Sequence, residues 1–299
     1  MKKLFLVAAA VIVAVAAGGA LLIFRGGQAP ESDISSLEGD PERGAYVARL
    51  AGCIACHTNE AEGGELLAGG PPLETLFGTF YGPNITPDPV AGLGDWSVND
   101  FARALRHGIS PDGKPYYPAF PYTFYSKLTD QDVADLWAAF KTVPDASEST
   151  KPQQLKFPFN QRWALRGWQN LFFESETYTR NPARNDLWNR GKYIVTGPAH
   201  CGACHTPRNP LGARDAEQAL HGTGGLPGDE RSPPITPEAL LKKGWTERNL
   251  AFGLRFGTKP NGDVLGGSMG EVIRDGTSWL TNEDLRAIAF YLLNNNDTK

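Results

Sequence analysis

All four cysteines of this 299-residue chain fall in two five-residue words, "CIACH" at 53–57 and "CGACH" at 201–205. Two thiols three positions apart lie on one side of a helical turn, and each word ends in a histidine. That pattern suits covalent attachment of haem. Each thiol adds across a vinyl group, and the adjoining imidazole meets the iron from the same side. A zinc site built from four cysteines would use the same sulfurs but leave His57 and His205 without a role. A thioredoxin-type pair explains neither the histidines nor the repetition. Two covalently bound haems c are therefore the expected cofactors, attached through Cys53, Cys56, Cys201 and Cys204, with His57 and His205 on the irons. Haem attachment uses every thiol, so no disulfide is expected.

The two words sit inside a longer duplication. "RGAYVARLAGCIACHT" (43–58) matches "RGKYIVTGPAHCGACHT" (190–206) with one insertion, and "NITPD" (84–88) matches "PITPE" (234–238). "WSVNDFARALRHGISPDG" (96–113) matches "WTERNLAFGLRFGTKPNG" (245–262) without a gap, and "KLTDQDVADLWAAF" (127–140) matches "WLTNEDLRAIAFYL" (279–292). Self-similarity at this length means two copies of one domain rather than a solenoid. Each copy reads as a small helical domain. A first helix carries Arg-Gly-x-Tyr into the haem word, and a Gly/Pro loop follows. The next helix is capped by Ser97 or Thr246. After a ligand-bearing loop, a last helix opens at Thr129 or Thr281. Val133, Leu136, Trp137 and Phe140 have helical spacing, as do Leu285, Ile288, Ala289 and Leu292, and these stripes are expected to form the cores.

The N-terminus carries its own signal. Behind Met1-Lys2-Lys3, residues 4–24 are uncharged and apolar. Such a run has the length of a membrane-spanning helix, with the lysines holding the N-terminus in the cytoplasm. An uncleaved anchor is the expectation, and a cleaved signal segment at "AVAAGGA" the alternative. The full expectation is a mainly α protein: an N-terminal transmembrane helix plus two tandem cytochrome c domains. Residues 1–25 are the membrane anchor or signal segment, 26–39 a tether, and 40–143 the first domain. Residues 144–186 are a linker and 187–296 the second domain. Within the linker, Ala164, Leu165, Trp168, Leu171 and Phe172 make an apolar helical stripe. It either packs on the domains or docks a partner. The net charge of −4, with no long run of either sign, gives no reason to expect a nucleic-acid partner.

The motifs "GPNITPD", "GDW", "YYPAFPY", "FPFNQRW", "CHTPRN" and "GDVLGGSM", together with both C-x-x-C-H words, carry a resemblance. The chain resembles membrane-anchored di-haem cytochromes c of the bacterial class I type. It is similar to the cytochrome subunits of bacterial periplasmic alcohol, aldehyde and gluconate dehydrogenases, which usually carry three haem motifs where this chain carries two. The resemblance spans about residues 40 to 295. It implies haem domains in the periplasm, on the bacterial inner membrane, with a periplasmic or membrane-bound dehydrogenase as electron donor. A soluble cytochrome or terminal oxidase would be the acceptor. It also implies that Asn84, Thr86 and Trp96 surround haem 1, while Thr236, Trp245 and Arg208 surround haem 2.

In such domains a methionine commonly takes the second axial position. Apart from Met1, the chain has only Met269, which is expected to ligate haem 2. Trp96 pairs with Trp245 at an offset of 149, and the same offset carries Phe120 onto Met269. A phenyl ring cannot bind iron, so haem 1 is expected to be five-coordinate or weakly capped beneath Phe120. His107, Tyr116, Tyr117, Tyr122 and Tyr125 are the other candidates. His107 is expected at a solvated helix end, and Arg103 and Arg106 beside it are expected to be solvated too. His200 adjoins Cys201 too closely to reach an iron. His221 reaches one only if the second domain folds over the first. Electron transfer is the function this reading favours. The alternative is a peroxidase-like di-haem enzyme or a small-ligand binder using an open haem 1. "YYPAFPY", however, offers no acid–base histidine or glutamate there.

Overall fold

A computed structural model of the chain describes residues 2–24, 33–226 and 231–295. α1 (Lys2–Phe24) comes first. The first copy contains α2 (Pro41–Leu50), α3 (Cys53–His57), α4 (Val98–His107), α5 (Tyr122–Tyr125) and α6 (Asp130–Phe140). α7 (Leu165–Phe172) lies in the connection. The second copy contains α8 (Asp186–Thr196), α9 (Gly202–His205), α10 (Pro237–Lys242), α11 (Glu247–Phe256), α12 (Ser268–Asp275) and α13 (Asn282–Asn294).

The copies match because the same local codes recur. Ser97 and Thr246 close capping boxes with Asp100 and Asn249, satisfying free N–H groups at the starts of α4 and α11. Both helices stop at a left-handed glycine, Gly108 at φ 62° and Gly257 at φ 73°. Thr129 and Thr281 cap α6 and α13 by accepting from the N–H of Asp132 and Asp284. α2 crosses α6 and α8 crosses α13, each over a glycine. A Cβ on Gly44 would lie 1.9 Å from the Asp135 carbonyl oxygen, and one on Gly191 would lie 2.0 Å from that of Ala287. Two separate apolar cores result. Val133, Leu136 and Phe140 are buried in the first, and Leu285, Ile288, Ala289 and Leu292 in the second.

Several expectations need correction. Among the described residues, no helix is long and apolar enough to cross a membrane. On that finding the expected transmembrane helix does not stand. Of the tether expected over 26–39, residues 26–32 lie outside the described residues, whereas Ile34 is buried in the first core and its N–H donates to Asn99 Oδ1 at 3.0 Å. Arg106 is buried rather than solvated: its Nη2 donates to the Leu128 carbonyl at 2.8 Å and its Nη1 pairs with Asp130 at 2.6 Å. A small antiparallel sheet was not foreseen. β1 (Pro72–Thr75) pairs with β2 (Gly78–Tyr81), and β3 (Gln154–Leu155) from the connection pairs with β2. α7 exists, but its buried residues are Leu165 and Gln169, while Leu171 is exposed. The amide of Gln169 reaches the His107 and Gly108 carbonyls, which pins the connection to the end of α4.

The copies meet through matched polar contacts. Arg43 pairs with Asp132 and Asp135, and Arg190 grips Asp284 with two hydrogen bonds of 2.7 Å. Across the interface, Tyr46 donates its hydroxyl to Asp284 Oδ2 at 2.6 Å, and Tyr193 donates to Asp132. Burial alone would raise the Asp284 carboxyl, but Arg190 and Tyr46 outweigh it and hold the group below its ordinary value. A carboxyl lowered by folding stabilises the fold above its unfolded pKa, and that contribution disappears as pH falls through the folded value. Arg190 is 37% exposed, so water screens the pair. Asp284→Asn is therefore expected to cost about 1–2 kcal/mol at pH 7. The melting-temperature gap between the variant and the parent closes as pH drops below about 4. A gap of equal size at pH 3 and pH 7 contradicts the assignment.

Candidate haem sites

α3 and α9 present the two haem words as single helical turns. All four cysteines are free thiols. Burial pushes Cys53 up to about 12 and Cys201 up to about 12, so both carry their protons. A thioether needs a thiol added across a vinyl carbon–carbon bond, and this donor set suits that chemistry.

The histidines are oriented identically. His57 Nδ1 lies 2.7 Å from the Pro83 carbonyl oxygen, and His205 Nδ1 lies 2.7 Å from that of Pro233. A carbonyl only accepts, so Nδ1 carries the proton and Nε2 keeps its lone pair. Burial lowers both imidazole pKa values, outweighing the contact with the carbonyl, and favours the neutral form that can bind a metal. A hydrogen bond from the far ring nitrogen is also what orients a ligating histidine. Glycines let the neighbouring loop close on the first word. A Cβ at Gly82 would lie 1.7 Å, and one at Gly70 1.9 Å, from the Cys56 carbonyl oxygen. The residues present therefore fit two haems c.

The remaining expected residues are placed as follows. Asn84 donates its amide to the Ala146 and Glu148 carbonyls, and its Oδ1 accepts from the N–H and hydroxyl of Thr86. Both side chains are buried and lace the Pro83 loop to the connection. Trp96 packs against the first core, and Trp245 is buried in the second against Gly253. Thr236 caps α10. Arg208 donates to the Gly212 and Ala203 carbonyls. His221 Nδ1 sits 3.0 Å from the Ala219 carbonyl oxygen, and Tyr125 donates to that of Ala51.

The repeat register holds in the backbone almost up to Phe120 and Met269. The bridge Ile109–Pro115 recurs as Thr258–Val264. The Tyr116 N–H bond to the Gly108 carbonyl, 2.7 Å, recurs from Leu265 to Gly257, also 2.7 Å. Four residues on, the copies diverge. Met269 lies in the first turn of α12, a helix rather than the expected loop, and packs at the edge of the second core. Phe120 precedes α5, packs on the first core and stands in a ring cluster with Tyr116, Tyr122 and Tyr125 at 5.7–6.2 Å.

Sequence reasoning missed three participants. The carbonyls of Pro83 and Pro233 were visible only as the prolines ahead of each repeated "ITP". Arg214 lies 3.8 Å over the Phe124 ring, and burial followed by the nearby Arg208 charge lowers it to about 10. His200 joins the two words. A Cβ on Gly52 would lie 3.5 Å from its Cε1, and its ring is 5.8 Å from that of Tyr125. Burial pushes the Cys56 thiol up, and so do the charges of Cys204 and Glu271.

The Cytochrome c family matches residues 41–140. The chain is 44% identical over 261 residues to a diheme cytochrome c-type protein of Cereibacter sphaeroides, covering 86% of each. It is 39% identical to the fructose dehydrogenase cytochrome subunit of Gluconobacter japonicus, over 84% of this chain and 51% of that one. It is 40% identical to a nicotinate dehydrogenase subunit of Pseudomonas putida, over 84% of this chain but 21% of that one. The chain thus spans about half, or less, of the dehydrogenase subunits it matches.

Proposed function

Because this chain belongs to the cytochrome c family, we propose that it is a two-haem electron carrier serving a dehydrogenase. The protein carries two covalently bound haems c. When bound, they supply the one-electron change between ferric and ferrous iron. Cys53 and Cys56 attach haem 1, and Cys201 and Cys204 attach haem 2. His57 and His205 give Nε2 to the irons, and Pro83 and Pro233 hold the opposite nitrogens. Met269 would bind the iron of haem 2 through its thioether, whereas Phe120, at the matching position of the first copy, offers haem 1 no ligating atom. Arg208 and Arg214, paired by a backbone bridge beside the second haem word, would hold the propionates of haem 2. The single observation that carries the reading is the repeated imidazole–proline carbonyl contact, 2.7 Å in both copies.

The donor belongs to the class named in the relatives, a dehydrogenase oxidising a small organic substrate. A soluble cytochrome or a terminal oxidase takes the electrons onward. The apolar run behind Lys2 and Lys3 suits export, and supports a periplasmic location for the haem-bearing part.

Stopped-flow mixing tests the function. The oxidised protein is mixed without oxygen with a dehydrogenase of the class named in the relatives, fructose dehydrogenase for one, already reduced by its own substrate. Both haems are expected to become ferrous at the rate the dehydrogenase delivers electrons. Haems that dithionite reduces but the dehydrogenase does not would refute the proposed donor class.

A further inference from the structure

One set of contacts between the copies serves neither haem site directly: the crossed pair of tyrosines. Tyr46 and Tyr193 each sit on the helix that runs straight into the copy's own haem word, α2 into α3 and α8 into α9. Each hydroxyl leaves its own copy. Tyr46 reaches Asp284 at 2.6 Å, and Tyr193 reaches Asp132. The contact is reciprocal in its details too. The Thr281 N–H donates to the Tyr46 oxygen at 3.2 Å, and the Thr129 N–H donates to the Tyr193 oxygen at 3.3 Å. Each carboxylate also receives the arginine of its own copy, Arg190 or Arg43. Burial raises the tyrosine pKa values, so the phenols keep their protons and act as donors.

The interface continues from these tyrosines to the haem words. On α2, Arg49 lies 4.3 Å over the Trp279 ring and donates to the Asp275 carbonyl at 3.4 Å. On the other side, a Cβ at Gly197 would lie 3.4 Å from the Lys127 Cβ, and Lys127 is the repeat partner of Trp279. The line ends where His200 meets Gly52.

We infer that Tyr46 and Tyr193 are positioning residues: their crossed hydrogen bonds clasp α2 and α8 across a pseudo-twofold interface and hold the two haem-attachment segments in one mutual orientation for electron exchange. Linked domains move relative to one another unless their interface prevents it. Charge-assisted hydrogen bonds from a phenol to a carboxylate are short and directional, and two of them related by a pseudo-twofold axis oppose both sliding and twisting. The exchange itself moves one electron from a ferrous to a ferric centre and requires no proton from either tyrosine. Its functional half rests on the electron-carrier reading. The orientation half stands apart from it.

Tyr46→Phe, Tyr193→Phe and the double variant test this in the full chain carrying both haems. Phenylalanine keeps the rings, including the 5.0 Å contact of Tyr193 with Tyr178, and removes only the hydroxyls. Pulsed dipolar spectroscopy between the two ferric haems reads orientation, and pulse radiolysis reads the rate of inter-haem exchange. The double variant is expected to broaden the distance distribution and slow exchange roughly tenfold to a hundredfold. The absorption spectra and potentials of the separate haems stay as in the parent. Tyr178→Phe loses a 2.6 Å hydroxyl bond to Asn189 that does not bridge the copies, and leaves both readouts unchanged. A parental distribution in the double variant overturns the clasp. A broadened distribution with a parental rate overturns its role in exchange. If the double variant takes up no haem, the single variants decide: each broadens the distribution, and singles identical to the parent overturn the inference. A wrong donor class would show instead as no reduction by the dehydrogenase, with the distance response intact.

Discussion

Replacing Gly191 by alanine is expected to lower the melting temperature by about 10 °C and to deplete haem from the second copy, with Gly44→Ala doing the same to the first. The direction runs against helix propensity, since alanine in place of glycine ordinarily favours a helix by about 1 kcal/mol. Here the added Cβ meets backbone. At Gly191 it would lie 2.0 Å from the Ala287 oxygen and 2.6 Å from the Tyr291 Cβ. At Gly44 it would lie 1.9 Å from the Asp135 oxygen and 2.8 Å from the Ala139 Cβ. A carbonyl inside a packed helix cannot rotate away, so the helices must separate. Separation opens cores that hold Val47, Val133 and Leu136 in one copy and Ile194, Leu285 and Ile288 in the other. Overpacking typically costs about 1–3 kcal/mol, and lost core contacts add to that, so about 3 kcal/mol net is expected. Gly224→Ala is the control: its Cβ would find nothing nearer than 3.8 Å, and the change stays within about 0.5 kcal/mol. Thermal melting of the haem-loaded variants decides. Alanine variants as stable as the control would show that the crossing is looser than described.

Met269→Leu is expected to lower the potential of haem 2 on the order of 0.2 V, a fraction of the ~0.8 V that axial ligation spans. Leucine conserves volume and costs under about 1.5 kcal/mol, so the fold survives and the readout isolates the thioether. Met269 lies at the edge of the second core, where leucine can pack. The first copy supplies the complementary half. Phe120 stands among Tyr116, Tyr122 and Tyr125 at the position that register equates with Met269. Carbon monoxide added to the reduced parent is expected to bind haem 1 alone, about one equivalent, rising to about two in Met269→Leu. No binding in the parent would mean that another group caps haem 1. No increase in the variant would remove Met269 from the axial position. Redox titration followed at each haem supplies the potential.

Much of this was legible before any coordinates, because it depends on contacts close in sequence. Cysteines three apart with a following histidine, a threonine ahead of Asp132 or Asp284, and a glycine after α4 or α11 each act within one or two turns. The duplication then lent each copy's evidence to the other, and by that route Phe120 was matched to Met269. The misses share a cause. Burial of Arg106 depends on Leu128 and Asp130, which lie on another element. β3 forms only because the connection returns to β2. The carbonyls that orient the two histidines belong to backbone, which leaves no trace in residue type.

The crossed tyrosines mark the boundary most clearly. The words Arg-Gly-x-Tyr and Thr-x-x-Asp occur once in each copy, so every tyrosine has two chemically equivalent aspartates to choose from. Duplication makes the pairing within a copy and the pairing across copies indistinguishable in sequence. Only packing resolves the choice. The arginine of each copy takes its own aspartate, and that aspartate's remaining acceptor capacity faces the neighbouring helix, where the other copy's tyrosine lies. Residue types established what each copy is and what it binds; the tertiary structure decided how the two copies face each other, because that orientation depends on hydrogen bonds between groups more than two hundred residues apart in one case and about sixty in the other.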